Sequence, residues 1–122
     1  MKITIVEDEA MELEQLETAV KEIAENELPA LSCELTCFES MQAFDAANAK
    51  PDLLILDLHL PDGNGLKLAR RLKEDRAATG VIIITAFQEH VYEGYEVGAF
   101  RFLPKPPQYE KLKEAMLHHA AE

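Results

Sequence analysis

The stretch Leu53-Leu54-Ile55-Leu56-Asp57 decides the fold, because four aliphatic residues follow one another without polar alternation and end at an acidic residue. Unbroken runs of this kind are typical of strands that are covered on both faces, as in parallel sheets. A second strand-like run, Ile3-Thr4-Ile5-Val6, is followed by Glu7 and Asp8. Ligands bind beyond the carboxyl ends of the strands in open parallel sheets. The sequence therefore predicts that these three acids lie at the functional edge of one sheet.

Strand-like and helical patterns alternate along the rest of the chain. We predict five strands, at Lys2–Val6, Glu34–Phe38 and residues 53–56, 81–85 and 100–103. They alternate with five helices, of which the second has Ser40 as its N-cap, the fourth is a weak helix at residues 90–97 and the last begins at about Gln108. Such alternation implies right-handed crossovers. The predicted fold is α/β and doubly wound, with helices flanking both faces of a five-stranded parallel sheet.

Size and charge limit the function. The 122 residues fit one domain, residues 1–122. A formal net charge of -11 opposes unaided binding to nucleic acid or to an anionic membrane. The one cationic cluster is interpreted as a solvated helix face and consists of Lys67, Arg70, Arg71, Lys73 and Arg76. The sequence has neither a signal peptide nor an 18-residue apolar stretch, so we expect a cytoplasmic protein without membrane contact.

The two cysteines, Cys33 and Cys37, are expected to be reduced packing residues. Both fall in a strand-like region, where four residues separate Cα atoms by about 13 Å, beyond the roughly 7 Å that a disulfide spans.

The acidic residues predict a metal site. If their strands are neighbours, about 4.8 Å apart, Asp8 and Asp57 converge on one small volume. Like charges this close need a shared proton or a cation. Carboxylate oxygens favour a hard divalent ion such as Mg²⁺. The competing interpretation is that these acids are only polar strand ends and helix caps.

Two further residues follow the fourth and fifth predicted strands and suit phosphoryl chemistry. An aspartate can attack phosphorus as a nucleophile if nearby groups offset the charge of the phosphoryl oxygens. Thr85 offers a hydroxyl donor and Lys105 an ammonium group. Taken alone, a residue such as Thr85 is more often a β-branched strand residue, and one such as Lys105 is more often a solvated loop residue. Their combination with the acids forms a specific pattern.

At this point the chain resembles, over essentially its whole length, the receiver domain of two-component response regulators. Four ordered blocks carry the resemblance: residues 6–9 (Val-Glu-Asp-Glu), residues 56–66 (Leu-Asp-Leu-His-Leu-Pro-Asp-Gly-Asn-Gly-Leu), residues 84–86 (Ile-Thr-Ala) and residues 98–106 (Gly-Ala-Phe-Arg-Phe-Leu-Pro-Lys-Pro). Residues 91–100 are similar to receivers of the LytTR-type regulators. The resemblance implies a flavodoxin-like (βα)5 three-layer sandwich.

The resemblance also implies a metal and a phosphoacceptor. Asp57 would take a phosphoryl group from the phosphohistidine of a sensor histidine kinase. Mg²⁺ would be held by Glu7, Asp8, Asp57 and the main-chain carbonyl of His59. Glu7 stands where the family more often has aspartate, so its longer side chain would reach the metal through water.

The remaining roles concern the phosphoryl group and the output. Thr85 and Lys105 would bind phosphoryl oxygens, and Phe102 matches an aromatic switch position. Pro104 departs from the pattern, because it removes a backbone donor where a strand residue is usual. Lys105-Pro106 matches the family's cis peptide bond. Phosphorylation would alter the face built from the fourth helix, fifth strand and fifth helix.

The implied partners are a sensor histidine kinase and either a second copy of the chain or an attached effector. DNA would be reached only through a separate output domain. The domain would thus control transcription or another output and catalyse only its own phosphorylation and dephosphorylation.

Two other functions remain open from the sequence. An aspartate-based phosphohydrolase usually carries a second acid shortly after its nucleophile, whereas His59 occupies the second position after Asp57. His59 itself either tunes phosphoryl hydrolysis or is merely solvated. A phosphorylation-independent interaction module on the same fold would not require the complete set of Asp57, Thr85 and Lys105.

Overall fold

A five-stranded parallel sheet forms the middle layer of the computed structural model, which describes residues 1–75, 78–86 and 101–121. The strands are β1 (Lys2–Val6), β2 (Glu34–Phe38), β3 (Leu53–Asp57), the short β4 (His59–Leu60) and β5 (Gly63–Asn64), β6 (Gly80–Thr85) and β7 (Arg101–Pro104). The described helices are α1 (Ala10–Glu27), α2 (Met41–Ala46), α3 (Gly65–Asp75) and α4 (Tyr109–Ala121), with a 3-10 turn at Pro29–Leu31.

The strands of the large sheet follow the order β2-β1-β3-β6-β7, and all four pairs are parallel. The chain therefore moves from β1 to one side and then crosses back to β3 on the other. This reversal leaves a crevice beyond the carboxyl ends of β1 and β3. The doubly wound five-stranded fold predicted from the sequence is confirmed.

The core has two halves because successive strand residues point to opposite faces of the sheet. Leu53 and Ile55 pack with α1 and α4 on one face. Leu54 and Leu56 pack with α2 and α3 on the other. All four are completely buried, which explains why β3 shows no polar alternation.

Helix α2 is fixed by two side chains. The predicted N-cap, Ser40, accepts a hydrogen bond from the backbone N–H of Ala43 at 3.0 Å. Asp62, which lies 20 residues along the chain from Gln42, accepts from the backbone N–H groups of Met41 at 3.0 Å and Gln42 at 2.8 Å. These bonds keep the pKa of the Asp62 carboxyl group below its usual value. They also tie the β4–β5 turn to α2.

The strand boundaries differ from the prediction in detail. The first two strands were predicted correctly, while β3 extends to include Asp57 and β6 begins one residue earlier, at Gly80. Residues 61–65 contain the second strand of a small antiparallel hairpin and the start of α3, and the hairpin was not predicted. The helix predicted at residues 90–97 lies outside the described residues, as do Phe100 and Arg76.

Both cysteines are free and partly buried against the core on the α1 side, as expected. Cys33, however, lies just before β2 rather than in it. Burial, together with the neighbouring Glu17, raises the pKa of the Cys37 thiol to about 11.

Candidate functional site

The functional side chains follow from the way the strands end. Val6 pairs with Leu56, so the next residues along the chain, Glu7 and Asp57, lie side by side at the carboxyl end of the sheet. Asp57 in turn pairs with Ile84, the residue before Thr85. The carboxyl ends of three adjacent strands therefore meet at one crevice.

Three carboxylates converge there as the sequence predicted. Glu7, Asp8 and Asp57 each offer one oxygen atom, and these atoms lie within 4.8 Å of one another. Glu7 and Asp57 are buried, at 2% and 7% exposure, while Asp8 is exposed. The group thus has a solvent-facing side through which an ion can enter.

Lys105 reaches into this acidic crevice from the loop after β7. Its ammonium nitrogen lies 2.8 Å from Oδ2 of Asp57, to which it donates a hydrogen bond. The same nitrogen lies 2.8 Å from Oε1 of Glu7. The backbone N–H of Lys105 donates to the carbonyl oxygen of Thr85 at 2.9 Å, which anchors the loop to β6. The Lys105-Pro106 peptide bond is cis.

Glu12 is a member of the site that sequence reasoning missed. It lies in the first turn of α1, and its Oε2 atom is 2.7 Å from the Lys105 ammonium nitrogen. One of many glutamates in α1, it carries no distinguishing motif. A usable signal existed in its position, because the first turn of a helix that directly follows β1 lies beside the carboxyl edge of the sheet.

The buried oxygens of this group are poorly supplied with hydrogen bonds. Neither oxygen of Glu7 makes a hydrogen bond, nor does Oε2 of Glu12, and the Lys105 ammonium nitrogen contacts Glu7 Oε1 and Glu12 Oε2 as ion pairs only. Leaving buried charged oxygens in this state is costly. A proton on Glu7 or a divalent cation would remove the deficit. The residues present therefore fit a hard, oxygen-preferring ion such as Mg²⁺.

The pKa values of the ionisable groups agree with this shortage of hydrogen bonds. Burial of Glu7, with the Glu12 side chain beside it and opposed by Lys105, raises the pKa of the Glu7 carboxyl group to about 9. Contact with Glu7, and then with Lys105, lowers the pKa of Glu12. Burial alone would lower the pKa of Lys105, but Asp57, Glu12 and Glu7 together raise it. Near neutral pH, Glu7 thus holds a proton that a bound metal would displace, while Lys105 stays charged.

The backbone around Asp57 is held closely. The N–H of His59 donates to Oδ1 of Asp57 at 3.1 Å, which fixes the carboxylate orientation. Gly65 begins α3 directly behind it, and a Cβ atom at Gly65 would lie 2.3 Å from the main-chain oxygen of Asp57. Its N–H donates to the Leu58 carbonyl at 2.7 Å. This close approach requires glycine at position 65.

Thr85 and Phe102 lie on neighbouring strands. Thr85 is the last residue of β6 and is buried. Phe102 pairs with Ile83 and packs, partly buried, against the core on the α2–α3 side. The structure thus places Thr85 beside the Asp57 strand. The hydroxyl and aromatic roles of the two residues stay predictions.

A cavity of about 480 Å³ adjoins the carboxylates. One end is polar and includes Glu7, Glu12, Asp57 and Lys105. The other end is formed by α1 and the loop after β7, and its lining includes Met11, Leu16, Ala19, Pro106 and Pro107. The acidic group is therefore accessible from the side of α1.

Within the part of the chain that the structure describes, no helix is both long and apolar enough to cross a membrane.

Comparison with known proteins identifies relatives of similar sequence. The positive alginate biosynthesis regulatory protein of Pseudomonas aeruginosa is 34% identical over 116 residues, which cover 95% of this chain and 46% of that protein. The sensory transduction protein LytT of Bacillus subtilis is 29% identical over 118 residues, with the same two shares. The chain thus spans about half the length of the curated relatives it matches. The relatives named LytT confirm the resemblance to LytTR-type regulators.

Solved structures agree with this result. The BeF3-activated DrrB receiver domain is 27% identical and superposes with a TM-score of 0.81. The match covers 99% of this chain and 97% of that chain. The response regulatory domain of mrkE from Klebsiella pneumoniae gives a TM-score of 0.82 at 24% identity, with 99% of this chain and 96% of that chain covered, and supports the fold alone.

The family model described as the response regulator receiver domain matches residues 3–117, which include every site residue discussed above. This chain therefore belongs to the response regulator receiver domain family.

Proposed function

We propose that Asp57 accepts a phosphoryl group from the phosphohistidine of a sensor histidine kinase, in a Mg²⁺-dependent step. The observation that carries this proposal is the geometry at the end of β3. One carboxylate oxygen from each of Asp57, Glu7 and Asp8 lies within 4.8 Å of the others, close enough to bind one ion. Oδ2 of Asp57 also lies 2.8 Å from the Lys105 ammonium nitrogen. A carboxylate so placed has an ammonium group on one side and, on the other, the ligands for a divalent cation, the two positive charges that phosphoryl transfer needs.

The transfer forms one bond and breaks one. A carboxylate oxygen of Asp57 makes the new P–O bond, while the P–N bond to the donor imidazole breaks and leaves its electron pair on the departing nitrogen. Mg²⁺, when bound, would offset the repulsion between the Asp57 carboxylate and the phosphoryl oxygens. Glu7, Asp8, Asp57 and the main-chain carbonyl of His59 would hold it. The His59 N–H keeps the Asp57 carboxylate oriented for attack.

The modified domain would signal through Thr85 and Phe102. The Thr85 hydroxyl and the Lys105 ammonium group would bind phosphoryl oxygens, and Phe102 would move into the space that Thr85 leaves. This change would reach the face that includes β7 and α4. About 5 kcal/mol of differential stabilisation turns such a switch from mostly off to mostly on, which a few charge-assisted hydrogen bonds supply.

The wider assignment rests on the relatives. Residues 1–122 would act as one receiver domain that performs no chemistry beyond its own phosphorylation and dephosphorylation. Because curated relatives about twice as long are named as regulators, an attached output domain would control transcription. A homodimer that forms on activation is the second expected partner. The cytoplasm is the proposed compartment, since a sensor kinase presents its phosphohistidine there.

Labelling with acetyl phosphate tests this function. In the presence of Mg²⁺ we expect wild type to incorporate one phosphoryl group and Asp57→Asn to incorporate none, because the amide is not a nucleophile. Asp75→Asn, a change at the exposed end of α3, is the matched control and should label like wild type. Undiminished labelling of Asp57→Asn would place the nucleophile elsewhere.

A further inference from the structure

The Lys105 ammonium group is surrounded by three carboxyl groups. Its nitrogen lies 2.8 Å from Oε1 of Glu7, 2.7 Å from Oε2 of Glu12 and 2.8 Å from Oδ2 of Asp57. A lysine ammonium group has three protons to donate. Three carboxyl groups of this chain therefore occupy the space around these protons, although only the contact with Asp57 is a hydrogen bond.

A phosphoryl oxygen can reach Lys105 only if one of these contacts opens. Asp57 is the proposed acceptor, and the Glu7 side chain is buried at 3% exposure and proposed to face the metal. The Glu12 side chain is different, because it is 45% exposed and lies at the edge of the cavity beside the carboxylates. It is the one partner of the three that can turn into solvent without losing a proposed role.

Resting on the proposed function, we propose that Glu12 is an intramolecular competitor for Lys105. In the unphosphorylated chain its carboxylate occupies the contact with Lys105 that a phosphoryl oxygen takes after transfer. Glu12 thereby holds Lys105 in place and lowers the affinity of the site for a phosphoryl group. Phosphorylation would release Glu12 from the first turn of α1 toward solvent.

The exposure of the Glu12 side chain sets how much its removal should change the binding of a phosphoryl mimic. An ion pair with one strongly exposed partner is screened by water, so that its removal changes an equilibrium by a small factor. We expect removal of the Glu12 contact to strengthen binding of a phosphoryl mimic about three- to fivefold. A larger change would require a buried pair, which Glu12 is not.

Beryllofluoride binding in saturating Mg²⁺ tests the proposal. We expect the dissociation constant, measured by nuclear magnetic resonance, to fall about three- to fivefold in Glu12→Gln, which removes the charge. Glu12→Asp should give most of the same gain, because its shorter side chain cannot reach Lys105 although the charge remains. Glu9→Gln is the matched control. It removes an exposed acid that lines the same cavity, and it should bind like wild type.

A second measurement follows the contact itself, without phosphoryl chemistry. In the Mg²⁺-free protein, the Lys105 ammonium protons should exchange with water faster in Glu12→Gln than in wild type or Glu9→Gln. Equal exchange rates in Glu12→Gln and wild type would show that Glu12 does not hold Lys105, and would overturn the proposal.

Three binding outcomes separate the alternatives. Weaker or unchanged beryllofluoride binding by Glu12→Gln, while wild type binds, would overturn the inference and leave the proposed function intact. An equal gain in Glu9→Gln would also overturn it, because general charge removal would then explain the effect. No binding by any of the proteins would contradict the proposed function and this inference together.

Discussion

At the residue scale, Glu7 shows how a buried acid can be tolerated. Its two oxygens lie away from water and make no hydrogen bond, although Lys105 forms an ion pair with one of them, and its carboxyl pKa is raised to about 9 by burial and by neighbouring acids. A residue in this state resists ionisation until a cation arrives. The same feature that destabilises the metal-free site at high pH therefore prepares it for Mg²⁺.

Glu7 should make the metal-free protein less stable as the pH rises. Between its ordinary pKa of 4.5 and about 9, the folded chain holds a proton on Glu7 that the unfolded chain releases. The folded state then binds more protons, so the free energy of unfolding falls by up to about 1.4 kcal/mol per pH unit. We expect Glu7→Gln, which mimics the protonated form, to gain thermal stability relative to wild type steadily from pH 5 to pH 9 in EDTA.

Thermal melts of both proteins across this pH range check the expectation. Excess Mg²⁺ should narrow the difference at pH 8, since ligand at about 100 times its dissociation constant stabilises wild type by about 2.7 kcal/mol. A stability difference that shrinks as the pH rises would contradict the assignment.

Gly65 offers a second test at the residue scale. In Gly65→Ala, the new Cβ would lie 2.3 Å from the main-chain oxygen of Asp57, so the end of β3 must shift. We expect a loss of about 1–3 kcal/mol in the free energy of unfolding, as in other overpacked sites, together with slower acetyl phosphate labelling.

Gly80→Ala is the matched control for this change. Its Cβ would meet the His119 ring, a side chain that can turn away, at the start of β6 and so at the end of the sheet opposite to Asp57. Labelling of Gly80→Ala should match wild type. Normal labelling of Gly65→Ala would show that the position of the Asp57 backbone does not matter for transfer.

At the element scale, the short helix α2 depends on its caps. Six residues are too few to form a stable helix alone. Ser40 caps it locally, and Asp62 caps it from the β4–β5 turn. The hairpin beside Asp57 is thus connected to a helix on the α2–α3 side of the sheet.

Removing the local cap should weaken the domain without touching the site. We expect Ser40→Ala to lower the free energy of unfolding by about 1 kcal/mol, because the Ala43 N–H loses its acceptor. Ser40→Asp keeps an acceptor and serves as the control. Urea unfolding measures both, and a loss in Ser40→Asp as large as that in Ser40→Ala would show that the cap does not stabilise α2.

The element scale also shows what the sequence could predict. The strands β1 and β2 were predicted to the residue, because apolar runs and flanking breakers define them. The hairpin was missed, since two-residue strands carry no periodicity. The Asp62 cap was missed because it joins positions 20 residues apart, and nothing local in the turn indicates α2 as its partner.

At the scale of the whole molecule, the strand order explains which site residues the sequence could predict, and the loop after β7 explains which one was missed. Glu7, Asp8 and Asp57 were predicted to meet because parallel neighbours end at one edge, and the sheet order brings them together. Glu12 was missed although its place in the first turn of α1 lies beside that edge, because its contact with Lys105 depends on how the loop after β7 folds over α1. That loop places Lys105 next to three acidic residues, in a chain whose formal net charge is -11.

The central claim is that a cation and Lys105 together turn an acidic crevice into a phosphate receptor. Peptide mapping of the chain after treatment with acetyl phosphate, with Mg²⁺ or with EDTA, tests it most directly. The account predicts one phosphoryl group, carried by Asp57 and present only with Mg²⁺. Modification at another residue, or equal modification of Asp57 in EDTA, would contradict it.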